Sequence, residues 1–125
     1  MNSQIKKALA TVLLILASQF ATGQFSGGNG AWYDPYQITT PEQLDLVRNY
    51  LNNTLISFIL MNDLDLTDEC GAGGIFYNSG QGWIPIGSSS ASAFRGEFNG
   101  NGRQITGLFL NRAANNQGLF GYLEG

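Results

Sequence analysis

The best candidates for metal binding or catalysis in this sequence are four acidic residues: Asp63, Asp65, Asp68 and Glu69. Asp63 and Asp65 are two positions apart, so on a β-strand both carboxylates project from one face. Such oxygen ligands can bind Ca²⁺, and a pair of carboxylates can cleave glycosidic bonds. The spacing matches neither an EF-hand loop nor a nine-residue Gly-Asp calcium repeat. The favoured interpretation is a solvated face, because charged side chains are mostly exposed; a calcium site is the alternative.

Aromatic residues form a second group that could bind a ligand, by stacking against sugar rings. The candidates for glycan stacking are Trp32, Tyr33 and Trp83, with Tyr36 and Tyr77 in the same parts of the chain. Packing in the core is the competing and favoured interpretation, since large aromatic side chains dominate core energetics.

The remaining composition excludes several classes of enzyme. The chain has no His and one Cys, Cys70, and its two lysines are Lys6 and Lys7. A Ser-His-Asp or Cys-His nucleophile and a His-ligated metal are therefore excluded within this chain. We expect no catalytic residue, no cofactor and no metal, and thus a non-enzymatic protein.

Residues 1–23 have the three parts of a secretory signal peptide. Lys6 and Lys7 supply the positive region, residues 8–17 are apolar, and residues 21–23 (Ala-Thr-Gly) form a small-residue cleavage site. Ten apolar residues are too few to cross a bilayer, which takes about 20. We therefore expect cleavage near Gly23/Gln24 and a secreted or outer cell-surface protein with no transmembrane segment in the mature chain.

Charge limits the partners of the mature chain. Residues 24–125 carry four arginines and nine acidic residues, and four minus nine gives a net charge of −5. An acidic chain without a basic patch is a poor ligand for nucleic acid or anionic membranes. The expected partner is an unknown surface ligand, either a glycan or a protein.

Local patterns predict a short helix followed by short strands. After an irregular lead-in at residues 24–39, Thr40 can cap a helix with Pro41 at its first position and Gln43 closing a capping box. Alternation over residues 57–67 predicts strand, bend and strand. Later short apolar runs are separated by corners such as residues 99–102 (Asn-Gly-Asn-Gly), a rhythm typical of a solenoid.

Three segments together resemble the GLUG-motif family of bacterial surface proteins. They are residues 34–66, residues 83–102, and residues 105–121, which end in the motif Gly118, Leu119, Phe120 and Gly121. The resemblance implies a mainly β protein: a right-handed parallel β-helix (solenoid) fragment over residues 40–125, capped by the helix. It implies an adhesin-like role without agreed catalytic residues, and a chain truncated after about one repeat. A carbohydrate-binding or polysaccharide-degrading β-helix is the alternative.

Overall fold

The computed structural model describes residues 24–125, so the predicted signal peptide lies outside the described residues. The strands are β1 (Tyr36–Ile38), β2 (Ser57–Leu60), β3 (Leu64–Asp65), β4 (Glu97–Asn99) and β5 (Ile105–Thr106). The helices are α1 (Pro41–Leu46), continued by a 3-10 helix (Val47–Tyr50), α2 (Thr67–Cys70), and a second 3-10 helix (Asn78–Gly80). No helix among these residues is long and apolar enough to cross a membrane.

Two small parallel sheets are built from the five strands. One has the strand order β1-β2-β4, and the other pairs β3 with β5. The outer edge of β1 is covered by the lead-in, where the Ser26 amide donates to the Gln37 carbonyl and the Gln37 amide donates to the Gly27 carbonyl, both at 2.9 Å. The lead-in was predicted to be irregular throughout; that prediction was wrong for β1.

The predicted helix start is confirmed. Thr40 Oγ1 accepts a hydrogen bond from the Gln43 amide at 3.2 Å, as a capping residue should. Gln43 Oε1 accepts from the amide of Thr39 at 2.7 Å, one residue before the expected partner. Leu44 and Val47 are fully buried, so this short helix covers one end of the core with its apolar face.

The core lies between the two sheets and this helix. Its largest fully buried side chains are Trp83, Phe58, Ile38, Leu44, Leu60, Leu66, Ile86 and Val47. They come from β1, β2, α1 with its 3-10 extension, the residue after β3, and the segment at residues 83–86, so residues distant in sequence meet in one core.

The prediction of a right-handed parallel β-helix was wrong. Within residues 24–125 the strands form two separate open sheets, with no closed sheet and no solenoid. A solenoid needs coils of similar length. Here the pairing of Tyr36 with Phe58 spans 22 positions, and that of Phe58 with Phe98 spans 40. Parallel contacts beyond β5 are single bridges, such as Ile86 with Phe120. Short strands with polar corners are typical of a solenoid, but here the helix and the long loop after α2 make the steps between paired strands unequal.

Candidate functional site

A tight turn at residues 28–35 presents two aromatic side chains to solvent. The amides of Asn29 and Gly30 both donate to the Asp34 carbonyl at 3.0 Å, and the Asp34 amide donates back to the Ala31 carbonyl at 2.9 Å. The Gly30 carbonyl accepts from the Ser57 amide at 2.8 Å, which ties the turn to β2. These bonds fix the backbone on both sides of the two aromatic residues.

Glycine is required within this turn. Gly30 has a φ of +88°, and a Cβ there would lie 2.6 Å from the ring of Tyr36. Only a residue without a side chain allows the turn to approach β1 so closely. The local sequence Gly-Asn-Gly therefore explains why the chain turns sharply here and projects its next residues outward.

Trp32 and Tyr33 form the projecting pair, which we name the aromatic corner. Trp32 is 77% exposed and Tyr33 is 69% exposed. Their ring centroids are 5.5 Å apart and their planes meet at 89°. The two rings thus present perpendicular surfaces on a backbone fixed by hydrogen bonds. An arrangement of this kind can bind a ligand by stacking.

The other aromatic residues of the lead-in pack inward. Phe25 stacks on Tyr36 with centroids 4.4 Å apart, and it contacts Phe58 at 5.6 Å. Tyr50 closes this cluster beside Phe58, also at 5.6 Å. Burial raises the pKa of the Tyr50 hydroxyl, and the neighbouring Tyr36 raises it further. The core-packing interpretation therefore holds for Phe25 and Tyr36, whereas glycan stacking stays a prediction for the exposed Trp32 and Tyr33.

Trp83, the third candidate for glycan stacking, is fully buried. Its ring meets Phe76 at 4.9 Å in an edge-on contact, and the Arg48 guanidinium lies 5.2 Å from its centroid. Its indole Nε1 donates to the Leu119 carbonyl at 3.1 Å. The prediction that Trp83 stacks on a ligand was wrong, because the protein itself surrounds the ring.

Two of the four acidic candidates hold loops in place. Asp63 Oδ1 accepts from the Gln104 amide at 2.9 Å, and Asp65 Oδ1 accepts from the Thr67 amide at the same distance. The Thr67 hydroxyl also donates to Asp65, and these two bonds hold the pKa of that carboxyl below its usual value. The Asp63 carboxylate therefore ties the residue before β3 to the residue before β5, and the Asp65 carboxylate fixes the start of α2.

The other two acidic candidates line an open groove of about 610 Å³. Asp68 and Glu69 share it with Glu42 and with residues 71–75. Among residues 24–125, no group of three or more His, Cys, Asp or Glu is placed to hold a metal ion. This groove adds negative charge to the surface.

The motif residues 118–121 pack against the segment around Ile86. The Leu119 carbonyl accepts from the Ile86 amide at 2.9 Å, and the Gly121 amide donates to the Ile86 carbonyl at 2.9 Å. A Cβ on Gly121 would lie 2.4 Å from the Gly87 carbonyl oxygen. The geometry thus gives the motif a structural role, in which glycine permits close approach of two backbones.

Three of the four arginines have a role that sequence reasoning missed. Arg48 donates to the Ile84 carbonyl at 2.8 Å, Arg95 to the Ser90 carbonyl at 2.9 Å, and Arg112 to the Trp83 carbonyl at 3.0 Å. No sequence signal marks these bonds, because the partners are backbone atoms 36, 5 and 29 positions away. The guanidinium groups are thereby committed to the fold.

Comparison with known proteins finds similarity to parts of longer chains. The chain is 41% identical over 121 residues to a "Putative Gly-rich membrane protein" of Evansella cellulosilytica; the match covers 92% of this chain and 13% of that protein. It is 33% identical over 99 residues to a protein of Haloquadratum walsbyi named "Halomucin"; that match covers 77% of this chain and 1% of the relative. No protein-family model matches the chain, so the GLUG resemblance stays a prediction.

One solved structure is similar in fold. It is the crystal structure of a "putative immunoglobulin A1 protease" from Bacteroides ovatus, with a TM-score of 0.50 and 27% sequence identity. The similarity covers 68% of this chain and 22% of that one. The chain is thus similar to a segment of three longer proteins with three different names, one of which is named as a putative membrane protein.

Proposed function

We propose that residues 24–125 act as a non-catalytic module of an exported cell-surface protein. One observation carries this proposal: the matched segment makes up only 13%, 1% and 22% of three proteins that have different names. A segment shared by proteins with different names is better explained as a structural module than as the domain that carries one specific activity, because the same fold can carry different functional sites.

The chemistry of the chain supports a role without catalysis. The sequence contains no His, and the single cysteine is 3% exposed, so a thiol nucleophile would be shielded from substrate. A polysaccharide lyase, one form of the alternative, needs clustered basic and acidic groups. Arg48, Arg95 and Arg112 instead bind backbone carbonyls of their own chain.

Export is part of the proposal. It is supported by the signal-peptide pattern of residues 1–23 and by the relative named a membrane protein. In this account cleavage after Gly23 leaves Gln24 as the first residue, and the mature protein acts outside the cytoplasm, in an adhesin-like role.

The test is to produce the full chain in a bacterium and locate it. We expect mass spectrometry to find Gln24 as the N-terminal residue and an external protease to digest the protein on intact cells. Leu13→Arg combined with Leu14→Arg should block export, because charge disrupts the apolar region that a signal peptide requires. An uncleaved protein that stays in the cytoplasm would contradict the export claim, and cleavage of immunoglobulin A1 by the purified chain would contradict the non-catalytic claim.

A further inference from the structure

We propose that the aromatic corner, Trp32 and Tyr33, binds the pyranose ring of an uncharged glycan. The proposal assigns a ligand to the module described above. It rests on the proposed function only for its location, outside the cell, where the module would encounter the glycan. The corner is defined by exposures of 77% and 69% and by ring planes that meet at 89°.

The geometry of the corner suits a single sugar ring. One aromatic ring can lie under the C–H face of a pyranose, because the face of an aromatic ring carries partial negative charge and the sugar C–H bonds carry partial positive charge. The perpendicular second ring then borders the edge of the sugar. The Tyr33 hydroxyl can both donate to and accept from a sugar hydroxyl.

The corner is already ordered without a ligand. Three backbone hydrogen bonds of 2.9 to 3.0 Å close the turn between Asn29 and Asp34. Asn29 Oδ1 accepts a fourth bond from the Ala31 amide at 3.0 Å. A ligand therefore does not have to order the backbone when it binds, which lowers the cost of a weak interaction.

The size of the corner argues against a folded protein as its ligand. Two aromatic side chains bury at most about 150–250 Å² each, whereas a stable protein interface buries about 800 Å² on each partner. The neighbouring residues 27–30 and Asp34 are glycine or polar. A sugar ring needs only the area that the two aromatic rings provide.

Charge selects an uncharged glycan over an acidic one. Asp34 is exposed directly beside the corner, and residues 24–125 carry four arginines against nine acidic residues, a net charge of −5. Three of those arginines are engaged with backbone carbonyls. Uronates, sialylated glycans and nucleic acids would therefore be repelled.

The test is an NMR titration of the full chain with three neutral probes: cellotetraose, mannotetraose and tetraacetyl-chitotetraose. Tetragalacturonate serves as the acidic probe. Applying the ligand efficiency of small molecules to one hexose of about 12 heavy atoms gives an expected Kd on the order of 1 mM. Trp32→Ala should weaken binding of the preferred probe by roughly tenfold or more. Leu55→Ala is the matched control, because Leu55 is an apolar side chain with 84% exposure outside the corner, and its Kd should stay within about twofold of the parent value.

Three results of the binding experiment would overturn the proposal. They are no binding of any neutral probe at about 20 mM, equal binding of tetragalacturonate, or unchanged binding by Trp32→Ala. If Trp32→Ala instead abolished self-association in sedimentation, the occupant would be a second copy of the chain and the glycan assignment would be wrong. Trp32→Ala should melt at the same temperature as the parent chain, and Trp32→Phe should still bind the probe. These two results would show that weaker binding by Trp32→Ala is not caused by unfolding. None of these outcomes depends on export, so failure here is distinguishable from failure of the proposed function.

Discussion

Replacing Arg112 by alanine should destabilise the fold, although the residue is charged and only partly buried. Its Nε donates to the Trp83 carbonyl at 3.0 Å and its Nη2 donates to the Gly82 carbonyl at 2.8 Å. The Gly82 carbonyl keeps a second partner, Asn78 Nδ2 at 2.8 Å. Among the described residues the Trp83 carbonyl keeps none, and Trp83 is 0% exposed. The third bond, to the exposed Gln81 side chain, is replaced by water.

The magnitude follows from these differences. Leaving the Trp83 carbonyl without a partner costs about 1–3 kcal/mol, and losing one of the two bonds at Gly82 costs about 1 kcal/mol. The free energy of unfolding should therefore fall by roughly 2–4 kcal/mol. For a domain of about 100 residues this lowers the melting temperature by roughly 10–25 °C.

Thermal unfolding followed by circular dichroism measures the effect. Arg103→Ala is the matched control, because it removes the same charge from an exposed residue and should change the free energy of unfolding by less than about 0.5 kcal/mol. Arg112→Lys should recover only part of the loss, since an ammonium group cannot reproduce the fork of the guanidinium. Equal melting temperatures for Arg112→Ala and Arg103→Ala would refute the reasoning.

Two further predictions concern α1 and α2. Leu44→Asp should lower the free energy of unfolding by several kcal/mol, because it buries a charge at a position with 0% exposure; Asn49→Asp on the exposed side should be nearly silent, and similar urea midpoints for the two variants would contradict the capping role. Thr67→Val should raise the pKa of Asp65 toward 3.8, as followed by NMR, because it removes the hydroxyl bond that contributes most to the lowering. The stability that this bond contributes is present above pH 3.8 and is lost as the pH falls through the lowered pKa; an unchanged Asp65 titration would show that the bond does not form.

Local sequence signals predicted the local structure well. Thr40 and Pro41 located the start of α1. Alternation over residues 57–67 predicted β2 and β3. These features depend on side chains within about one turn or one strand, so the sequence carries them directly.

The architecture could not be predicted from the same signals. Whether short strands form equal coils depends on which residues pair, and Phe58 pairs with residues 22 positions before it and 40 after it. The numbers of residues between paired strands depend on the packing of α1 and on the long loop after α2. Local sequence patterns do not predict either of them. The bonds of Arg112 to a loop about 30 residues away have the same origin.

Of the three rings proposed from the sequence for the candidate site, the structure leaves two exposed. Composition identified Trp32, Tyr33 and Trp83 as rings that could stack on a ligand, but exposure separates them, with 77% and 69% for the first two and 0% for Trp83. Burial of a tryptophan is decided by what packs around it, here Phe76 and Arg48. The closed turn at Asn29–Asp34 holds Trp32 and Tyr33 in solvent, and core packing buries Trp83. Both depend on tertiary structure, which composition does not report.

The measurement that tests the central claim most directly uses the two tryptophan indole signals of the chain in a nitrogen–proton NMR spectrum. Trp32 is exposed, whereas the Trp83 indole donates to the Leu119 carbonyl inside the core. If a neutral tetrasaccharide binds at the aromatic corner, the Trp32 indole signal should shift in proportion to the fraction of protein bound. The Trp83 indole signal should not shift. An unshifted Trp32 signal under saturating ligand, or a shift of Trp83 alone, would contradict the assignment of the corner as the binding site.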